Sequence, residues 1–346
     1  SNDPGSIPVG VLAPLTGSLK SAGEGMQAAL AVGLPEVNRR LSLEGQNFRI
    51  RTIVKDTASD PQTARAALAA LKAEGVKLVI GPISSAECAA LLPDATALGM
   101  ILVSPGSSAT SLAITDDNLF RLVPSDDSQG AGTAALMLKK GFKAIVPIWR
   151  GDVWGDDLKK SVATAFQNSG GAVLNGVRYN PDASNYTAEL DEAALQVSQA
   201  LTTYGTGKVA VVMISFPTES VSLLGSAASR PALANAGWFG SDATTLTPQV
   251  TASAAASAFA AQTNFLSPIY SREDAVLPLK GIVLIDRVLR EKISQKLGRS
   301  AETTAFGTWD ALWLAAKAYT SSGTNADIAA LKSGLVTAAS GNVGLS

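Results

Sequence analysis

Two short loops rich in serine follow two neighbouring apolar runs, and their side chains are the first in this sequence that suggest chemistry. The apolar runs, residues 76–80 and 100–103, read as strands, and each loop opens a helical pattern. The loop serines are Ser84, Ser85, Ser107 and Ser108. Because the carboxyl ends of consecutive parallel strands meet at one edge of a sheet, these hydroxyls are expected to lie together, beside the free N–H groups of helix N-termini. That combination predicts a cradle for a carboxylate.

A purely structural role for the same serines stays open. Serine is among the preferred helix N-cap residues, and capping alone would explain one such loop. With two loops in tandem, capping and anion binding explain the pattern equally well. No base adjoins the loops, so the pattern favours binding over reaction.

Composition removes most catalytic chemistries. The 346 residues include no histidine, which excludes Ser-His-Asp and Cys-His catalysis and histidine-ligated metals. Neither a Gly-x-Ser-x-Gly elbow nor a Gly-x-x-x-x-Gly-Lys phosphate loop is present. The single cysteine, Cys88, lies in an apolar helical stretch, where a small buried hydrophobe is expected. We therefore expect no enzyme, no metal site and no cofactor.

Charge and hydropathy restrict the classes of partner that the chain is expected to bind. Apolar residues make up 46% of the chain, and the formal net charge is −1. A chain of this length and composition can bury the cores of two domains. No basic run with interleaved aromatic residues appears, which argues against nucleic-acid binding. No stretch reaches the roughly 18 consecutive apolar residues of a membrane span.

The order of elements predicts an α/β fold. Strand-like runs alternate with helical patterns, in two series that share an architecture but not a sequence, as is typical of parallel sheets covered by helices. The predicted strands are residues 7–13, 48–55, 76–80, 100–103, 144–149, 172–179, 208–215 and 238–240. The predicted helices are residues 23–38, 61 to a stop at Gly75, 86–98, 128–140, 155–169, 186–203, 219–228, 279–297 and 308–321. Residues 251–262 are too weakly patterned to assign.

A series of short motifs runs in a fixed order along nearly the whole chain. They are Ala13-Pro14-Leu15-Thr16-Gly17, Asp56 with Ser59-Asp60-Pro61, Gly81-Pro82 with Ser84-Ser85, Ser104-Pro105-Gly106, Phe120-Arg121 with Pro124-Ser125-Asp126 and Gln129-Gly130, Trp154-Gly155, Gly240-Ser241-Asp242, and Trp309-Asp310-Ala311. In this order the motifs resemble the branched-chain amino-acid-binding (Leu/Ile/Val-binding) class of type I periplasmic substrate-binding proteins of ABC importers.

The resemblance implies a fold and a domain division. Such proteins are α/β, with two doubly wound parallel-sheet lobes joined by a multi-strand hinge and a ligand cleft between the lobes. In this chain the N-terminal lobe would comprise residues 1–121 and 268–337, and the C-terminal lobe residues 122–267 and 338–346. Two crossings of the hinge would lie near residues 121–125 and 265–268.

The resemblance also assigns roles in the serine loops. Ser85 and Ser108 fall at hydroxyl positions that bind a ligand carboxylate. The backbone carbonyl of Gly106 falls where the family binds the ligand's amino group. Together with Ser84 and Ser107, these residues form the predicted carboxylate half of the site.

Three further residues are expected to bind the ligand from the second lobe. Trp154 and Phe216 fall at aromatic positions that cover the ligand, and Asp242 matches an acidic position that pairs with an α-ammonium. Each has a plainer interpretation, because both aromatic rings could simply pack the lobe and Asp242 could cap a helix. Glu219 is a second candidate for the counter-charge.

The function implied by the resemblance is that of an extracytoplasmic solute receptor. It would bind a small carboxylate-bearing molecule by lobe closure and deliver it to the membrane permease of an ABC importer, as a monomer, with its export signal removed or with a lipoprotein anchor. A hydrophobic or small neutral amino acid is the leading ligand, and an aromatic or other monocarboxylate is the alternative. An intracellular ligand-sensing regulator on the same fold is an alternative of another class, disfavoured because no helix-turn-helix precedes the first strand.

Overall fold

Two five-stranded parallel β-sheets organise the chain. A computed structural model describes residues 5–269 and 282–340. The described residues fall into two units. Unit 1 contains those of Ser1–Ser107, Ile114–Val123 and Ser271–Ser346, and unit 2 contains those of Ser108–Ala113 and Pro124–Tyr270. The predicted α/β class with two parallel sheets is confirmed.

The sheet of unit 1 has the strand order β2-β1-β3-β4-β5, and every pair is parallel. Its strands are β1 (Ser6–Ala13), β2 (Arg49–Asp56), β3 (Leu78–Ile80), β4 (Ile101–Ser104) and β5 (Leu119–Arg121). The helices of unit 1 are α1 (Lys20–Leu43), α2 (Pro61–Ala73), α3 (Ser85–Ala97), α11 (Ile282–Leu297), α12 (Thr303–Ser322) and α13 (Ile328–Ser340). The central strands β3 and β4 are buried throughout, as expected for parallel strands covered on both faces.

The sheet of unit 2 has the strand order β10-β9-β6-β7, with β8 also paired to β6. Its strands are β6 (Ala144–Arg150), β7 (Ala172–Val173), β8 (Val177–Tyr179), β9 (Val209–Ile214) and β10 (Gly237–Phe239). Its helices are α4 (Asp126–Lys139), α5 (Val153–Asn168), α6 (Thr187–Tyr204), α7 (Pro217–Ala227), α8 (Pro231–Ala234), α9 (Pro248–Ala252) and α10 (Ala254–Gln262). Short 3₁₀ turns cover Thr110–Leu112 and Asp242–Thr244.

The start of α2 shows how local sequence sets an element boundary. Asp60 accepts a hydrogen bond from the backbone N–H of Thr63 at 2.7 Å, and Pro61 occupies the first helical turn. Gly75 follows the helix with φ +79°, a left-handed conformation that ends a helix readily. The predicted helix from Pro61 to a stop at Gly75 is confirmed.

The close packing of α1 on α12 needs a glycine. A Cβ atom at Gly33 of α1 would lie 2.9 Å from Cε3 of Trp309 on α12. Both helices are longer than predicted. Helix α1 extends to Leu43, and helix α12 begins at Thr303. Small residues fill much of this helix contact, and they carry little hydrophobic periodicity from which helix ends can be read.

One predicted strand is two in the structure. Residues 172–179 were expected to form a single strand, but β7 and β8 are separated by residues 174–176. Gly176 has φ +69°, and a Cβ there would lie 2.2 Å from the carbonyl oxygen of Pro147 in β6. The backbone therefore turns where it passes closest to β6, and the two strands pair with different parts of it.

Three helical regions of the structure were not predicted or were predicted only in part. The unassigned residues 251–262 form the end of α9 and all of α10, and α13 is a helix that the sequence patterns did not indicate. The start of the predicted helix 279–297 lies outside the described residues, and its remainder is α11.

Cys88 is buried, as expected, and burial raises the pKa of its thiol to about 12.

The units divide the described residues differently from the predicted lobes in four short segments. Residues 122–123 belong to unit 1 and residues 268–269 to unit 2, whereas the prediction placed them in the C-terminal and the N-terminal lobe, respectively. Residues 108–113 belong to unit 2, whereas the prediction placed them in the N-terminal lobe. Residues 338–340 end α13, which packs against α12 in unit 1, whereas the prediction placed them in the C-terminal lobe. Residues 341–346 lie outside the described residues.

Asp56, at the end of β2, fixes the loop that follows β1. Its Oδ1 accepts hydrogen bonds from the backbone N–H groups of Leu15 and Ala58, both at 2.8 Å. Its Oδ2 accepts one from the hydroxyl of Thr16 at 2.7 Å. Burial alone would raise the pKa of Asp56, but these hydrogen bonds outweigh it and hold the pKa below its ordinary value.

We predict that Asp56→Asn lowers the free energy of unfolding by about 1–3 kcal/mol, because the hydrogen bonds from the two loops lose their charge assistance and the oxygen that accepts from Thr16 is replaced by an N–H donor. The lowered pKa stabilises the folded state fully above the ordinary carboxyl pKa, and this stabilisation disappears as the pH falls through the folded-state pKa. Urea unfolding between pH 2 and 7 measures both effects. Asp182→Asn, an exposed change, is the control, and equal pH profiles for wild type and Asp56→Asn would contradict the prediction.

Candidate ligand-binding site

Ser84 caps α3. Its Oγ accepts a hydrogen bond from the backbone N–H of Glu87 at 3.2 Å and donates one to Oε2 of Glu87 at 2.5 Å. The same carboxylate accepts the backbone N–H of Ser84 at 3.3 Å, which completes a capping box. Burial raises the pKa of Glu87. The hydroxyl of Ser84 is thus engaged within unit 1, and a ligand would have to compete with Glu87 for it.

A direct hydrogen bond joins the two serine loops of unit 1. The hydroxyls of Ser85 and Ser107 lie 2.9 Å apart, although 22 residues separate them in the sequence. Ser104 reinforces the junction, because its hydroxyl donates to the carbonyl of Pro82 at 2.6 Å and accepts the backbone N–H of Ser107 at 3.0 Å. The structure therefore brings Ser84, Ser85 and Ser107 together at the carboxyl ends of β3 and β4.

Gly106 lies where the two loops press together. A Cβ atom at this position would lie 2.7 Å from Cγ2 of Ile83 and 3.2 Å from Cγ2 of Thr304. The loop therefore keeps its path only with glycine here. This packing accounts for the residue type, and the predicted role of its carbonyl stays a prediction.

Ser108 belongs to unit 2, where it precedes α4. Its carbonyl accepts the backbone N–H of Asp126 at 2.9 Å, which ties the loop to the first turn of that helix. Its hydroxyl is buried and has no hydrogen-bond partner among the residues that the structure describes. Buried hydroxyls are almost always paired. We therefore expect the Ser108 hydroxyl to bind a group from outside unit 2.

Trp154 and Phe216 lie against each other in unit 2. Their ring centres are 5.0 Å apart and the planes are inclined by 23°, so the rings are stacked. Both are nearly buried, with 4% and 5% of their surface exposed. Asp152 fixes the approach of Trp154 by capping α5, where its Oδ1 accepts the backbone N–H of Gly155 at 2.8 Å. The predicted aromatic pair is thus one contiguous wall.

A largely buried arginine, with 11% of its side chain exposed, completes this wall, and the sequence patterns did not single it out. The guanidinium carbon of Arg150 lies 4.1 Å from the centre of the Phe216 ring. Its Nε donates to Asp152 at 2.5 Å, and its Nη1 donates to Oε1 of Glu219. Oε2 of Glu219 accepts the hydroxyl of Tyr179 at 2.6 Å and the backbone N–H of Phe216 at 3.1 Å.

These contacts change the interpretation of Glu219. Both of its carboxylate oxygens are bonded inside unit 2, so this side chain orients Arg150 and Phe216. The position of Arg150 in the sequence could have indicated that it needs polar partners, because it is a charged residue at the end of a strand that is otherwise mostly buried. Asp152 lies two residues after Arg150, but nothing in the neighbouring sequence points to Glu219, which is 69 residues away.

Asp242 is held by a neutral side chain. The amide nitrogen of Gln129 donates to its Oδ1 at 3.0 Å, and the backbone N–H of Asp242 donates to Oε1 of Gln129 at 2.9 Å. Burial raises the pKa of Asp242, and the hydrogen bond from Gln129 only partly opposes this. Within residues 5–269 and 282–340, no cation pairs with Asp242. Its carboxylate therefore has no counter-charge within the part of the chain that the structure describes.

The candidate residues of unit 2 share one edge of its sheet. Arg150, Phe216 and Asp242 follow β6, β9 and β10, which are neighbouring parallel strands. In the described part of the chain, no group of three Cys, Asp or Glu side chains could hold a metal ion. None of the described helices combines the length and the apolar character that crossing a bilayer requires.

Comparison with known proteins identifies the family. Residues 6–341 match the model of a family described as periplasmic binding protein. The chain belongs to this family and has the type I periplasmic binding protein fold.

Curated relatives align over parts of their length. An uncharacterised protein of Methanocaldococcus jannaschii is 24% identical over 244 residues, which cover 69% of this chain and 57% of that protein. The Leu/Ile/Val-binding protein BraC3 of Rhizobium johnstonii is 26% identical over 138 residues, which cover 40% of this chain and 37% of that protein. The chain thus spans less than two thirds of these relatives.

Solved structures share the fold at low identity. A leucine-binding protein LivK from Thermotoga maritima superposes with a TM-score of 0.75 at 18% identity, over 95% of this chain and 87% of that chain. A solute-binding protein from Rhodopseudomonas palustris in complex with 4-hydroxybenzoate superposes with a TM-score of 0.74 at 14% identity, over 95% and 84% of the two chains. The same fold thus occurs with different ligands.

We predict that Glu219→Gln destabilises the protein by about 2 kcal/mol. This is below the roughly 3–5 kcal/mol that follows complete loss of a buried ion's partner, because Arg150 keeps Asp152. Asp191→Asn is the matched control: it breaks the ion pair with Arg230, in which Asp191 is 64% exposed, and should cost less than about 1 kcal/mol. Urea unfolding measures both, and equal midpoints would show that the Arg150 network contributes little.

Proposed function

We propose that this chain is the solute-binding protein of an ABC importer and that its ligand is a hydrophobic or small neutral amino acid. Family membership supports the first part. The observation that carries the second is Asp242, a carboxylate that Gln129 orients and that has no cation among the described residues. An α-ammonium is the group that would satisfy it, since a desolvated carboxylate needs a positive partner.

Serine hydroxyls are proposed to bind the ligand's carboxylate. The buried hydroxyl of Ser108 is unpaired within the described residues, and the Ser85–Ser107 pair can turn one hydroxyl hydrogen toward an acceptor. Hydrogen bonds to a charged group contribute about 1.5–3 kcal/mol each. Ser84 contributes indirectly in this proposal, because its hydroxyl belongs to the cap of α3.

The aromatic wall is proposed to cover the ligand's side chain. Trp154 and Phe216 form a stacked apolar pair that is nearly buried in unit 2, and the guanidinium of Arg150 lies over the Phe216 ring. In the proposed mechanism the two lobes close on the ligand, and the permease recognises the closed form. No bond of the ligand is made or broken. The location that follows from this role is extracytoplasmic.

An aromatic monocarboxylate is the second candidate ligand. Burial raises the pKa of Asp242, and a protonated Asp242 could lie near a carboxylate without repelling it. Structures of the same fold have been solved with isoleucine, from Streptococcus pneumoniae, and with 4-hydroxybenzoate, from Rhodopseudomonas palustris. The fold therefore accommodates both ligand classes.

We predict that Ser85→Ala and Ser108→Ala each weaken ligand binding by about 1–3 kcal/mol, because the bound carboxylate loses a donor while it stays desolvated. A thermal-shift screen of amino acids and aromatic acids supplies the ligand, since binding raises stability by about 2.7 kcal/mol at a hundredfold excess over Kd. Calorimetric titration of the variants then measures the effect. Ser111→Ala, an exposed neighbour, is the control. Wild-type affinity in both variants would place the carboxylate elsewhere.

We predict that Asp242→Asn separates the two ligand classes. An amino acid should bind more weakly, by about 2 kcal/mol or more, because its ammonium loses a partly buried counter-charge. In the wild type, its affinity should rise as the pH increases through the raised pKa of Asp242, since only the ionised carboxylate pairs with the ammonium.

The asparagine variant should lack this pH dependence. An aromatic acid should show the opposite pattern, with equal or tighter binding to Asp242→Asn and weaker wild-type binding as the pH rises. Calorimetry with the best ligand from the screen, at several pH values, distinguishes the two. Tighter binding of that ligand to Asp242→Asn would refute the amino-acid proposal and leave the family assignment intact.

A further inference from the structure

A groove in unit 1 carries side chains that the proposed function does not use. Its walls are the carboxyl-terminal halves of α1 and α12, and its volume is about 470 Å³. Since an α-helix rises about 1.5 Å per residue, the groove begins at Glu36, about 24 Å along α1 from its first residue, Lys20. The serine loops lie near the opposite ends of these helices, where Thr304 contacts Gly106.

Both carboxylates of the groove already have cationic partners. Glu36 pairs with Lys292 of α11 at 2.9 Å. Glu44 pairs with Arg40, one turn earlier in α1, at 2.6 Å. The negative charges at the groove are therefore neutralised by neighbouring side chains.

Two cations of the groove have no such partner. Neither Arg39 nor Lys317 forms an ion pair or hydrogen bond within the described ranges. Burial lowers the pKa of Lys317, an effect that Glu44 opposes and Arg40 reinforces. The two side chains come from different helices, α1 and α12, and line the same cavity.

The rest of the groove is partly apolar. Trp313 lines it together with Leu41 and Ala316. The indole Nε1 of Trp313 is buried and has no acceptor in the described part of the chain, so no hydrogen bond fixes the ring. Thr320 and Ser321 add hydroxyl groups to the lining, so apolar and polar side chains share the wall. A cavity of this volume has the dimensions of a small-molecule site.

We propose that this groove binds a small amphiphilic anion, whose charged head lies between Arg39 and Lys317 and whose apolar body lies on Trp313. A free organic phosphate or carboxylate with a hydrocarbon tail has this chemistry, and so does an anionic lipid. The site is separate from the candidate ligand-binding residues, and it stands whether or not the proposed function is correct.

Calorimetric titration of the full chain with octyl phosphate, below its micelle concentration, tests the proposal. Arg39→Gln and Lys317→Gln should each weaken binding about threefold, and the double variant about tenfold, as expected for partly solvated charge pairs whose effects add. Lys72→Gln, which removes an exposed charge from α2, is the matched control and should bind as the wild type does. Octanol and inorganic phosphate, which each lack half of the ligand, should bind at least about tenfold more weakly.

Several outcomes would overturn the proposal. They are the absence of octyl phosphate binding, equal affinity in the wild type and the double variant, and loss of binding in Ser85→Ala or Asp242→Asn, which would place the probe in the candidate ligand-binding site. If the double variant misfolds by circular dichroism, the two single variants decide the result. Flotation with phosphatidylglycerol vesicles then identifies the source: a lipid ligand makes the wild type float but not the double variant, whereas a free anion leaves both unbound.

Discussion

The common direction of the strands is the constraint on which the candidate site depends. In a parallel sheet every strand delivers its following loop to the same edge, so residues that are far apart in sequence become neighbours. In unit 1 this places the hydroxyls of Ser85 and Ser107 2.9 Å apart. In unit 2 it places Arg150, Phe216 and Asp242 after three neighbouring strands. The chemistry of each unit is thus concentrated at one edge, while the rest of the sheet is packed with apolar side chains.

The charged side chains at the candidate site of unit 2 have two different kinds of partner. Arg150, Asp152 and Glu219 satisfy one another, and their hydrogen bonds hold the ring of Phe216 in place. Asp242 receives a side-chain hydrogen bond from the neutral amide of Gln129 and pairs with no cation among the described residues. The first arrangement is self-sufficient, because opposite charges offset the desolvation that each would suffer alone. The second leaves a site where an external charge has a large effect.

Sequence patterns were enough to predict the fold class and the positions of most elements. Buried parallel strands are nearly continuous apolar runs, and caps such as Asp60 with Pro61 mark helix boundaries directly. The break at Gly176 and the helix α13 were missed, and the first depends on a close approach to Pro147 that no local pattern shows. For the site, the serines and aromatic residues could be located from their loops. The partners of Arg150 and of Asp242 could not, since Glu219 and Gln129 lie 69 and 113 residues away from them.

The hydrogen bonds between Gln129 and residue 242 affect how a substitution could alter the ligand preference of this fold. The amide of Gln129 contacts residue 242 through both the backbone N–H and the side chain, and neither contact depends on the charge of that side chain. An asparagine at position 242 could keep both contacts, with its side-chain oxygen accepting as the carboxylate does. A single substitution could therefore alter the charge of the ligand that is accepted while the surrounding backbone stays in place. Divergence of ligand preference within one fold needs only such sites, where geometry and charge are set by different atoms.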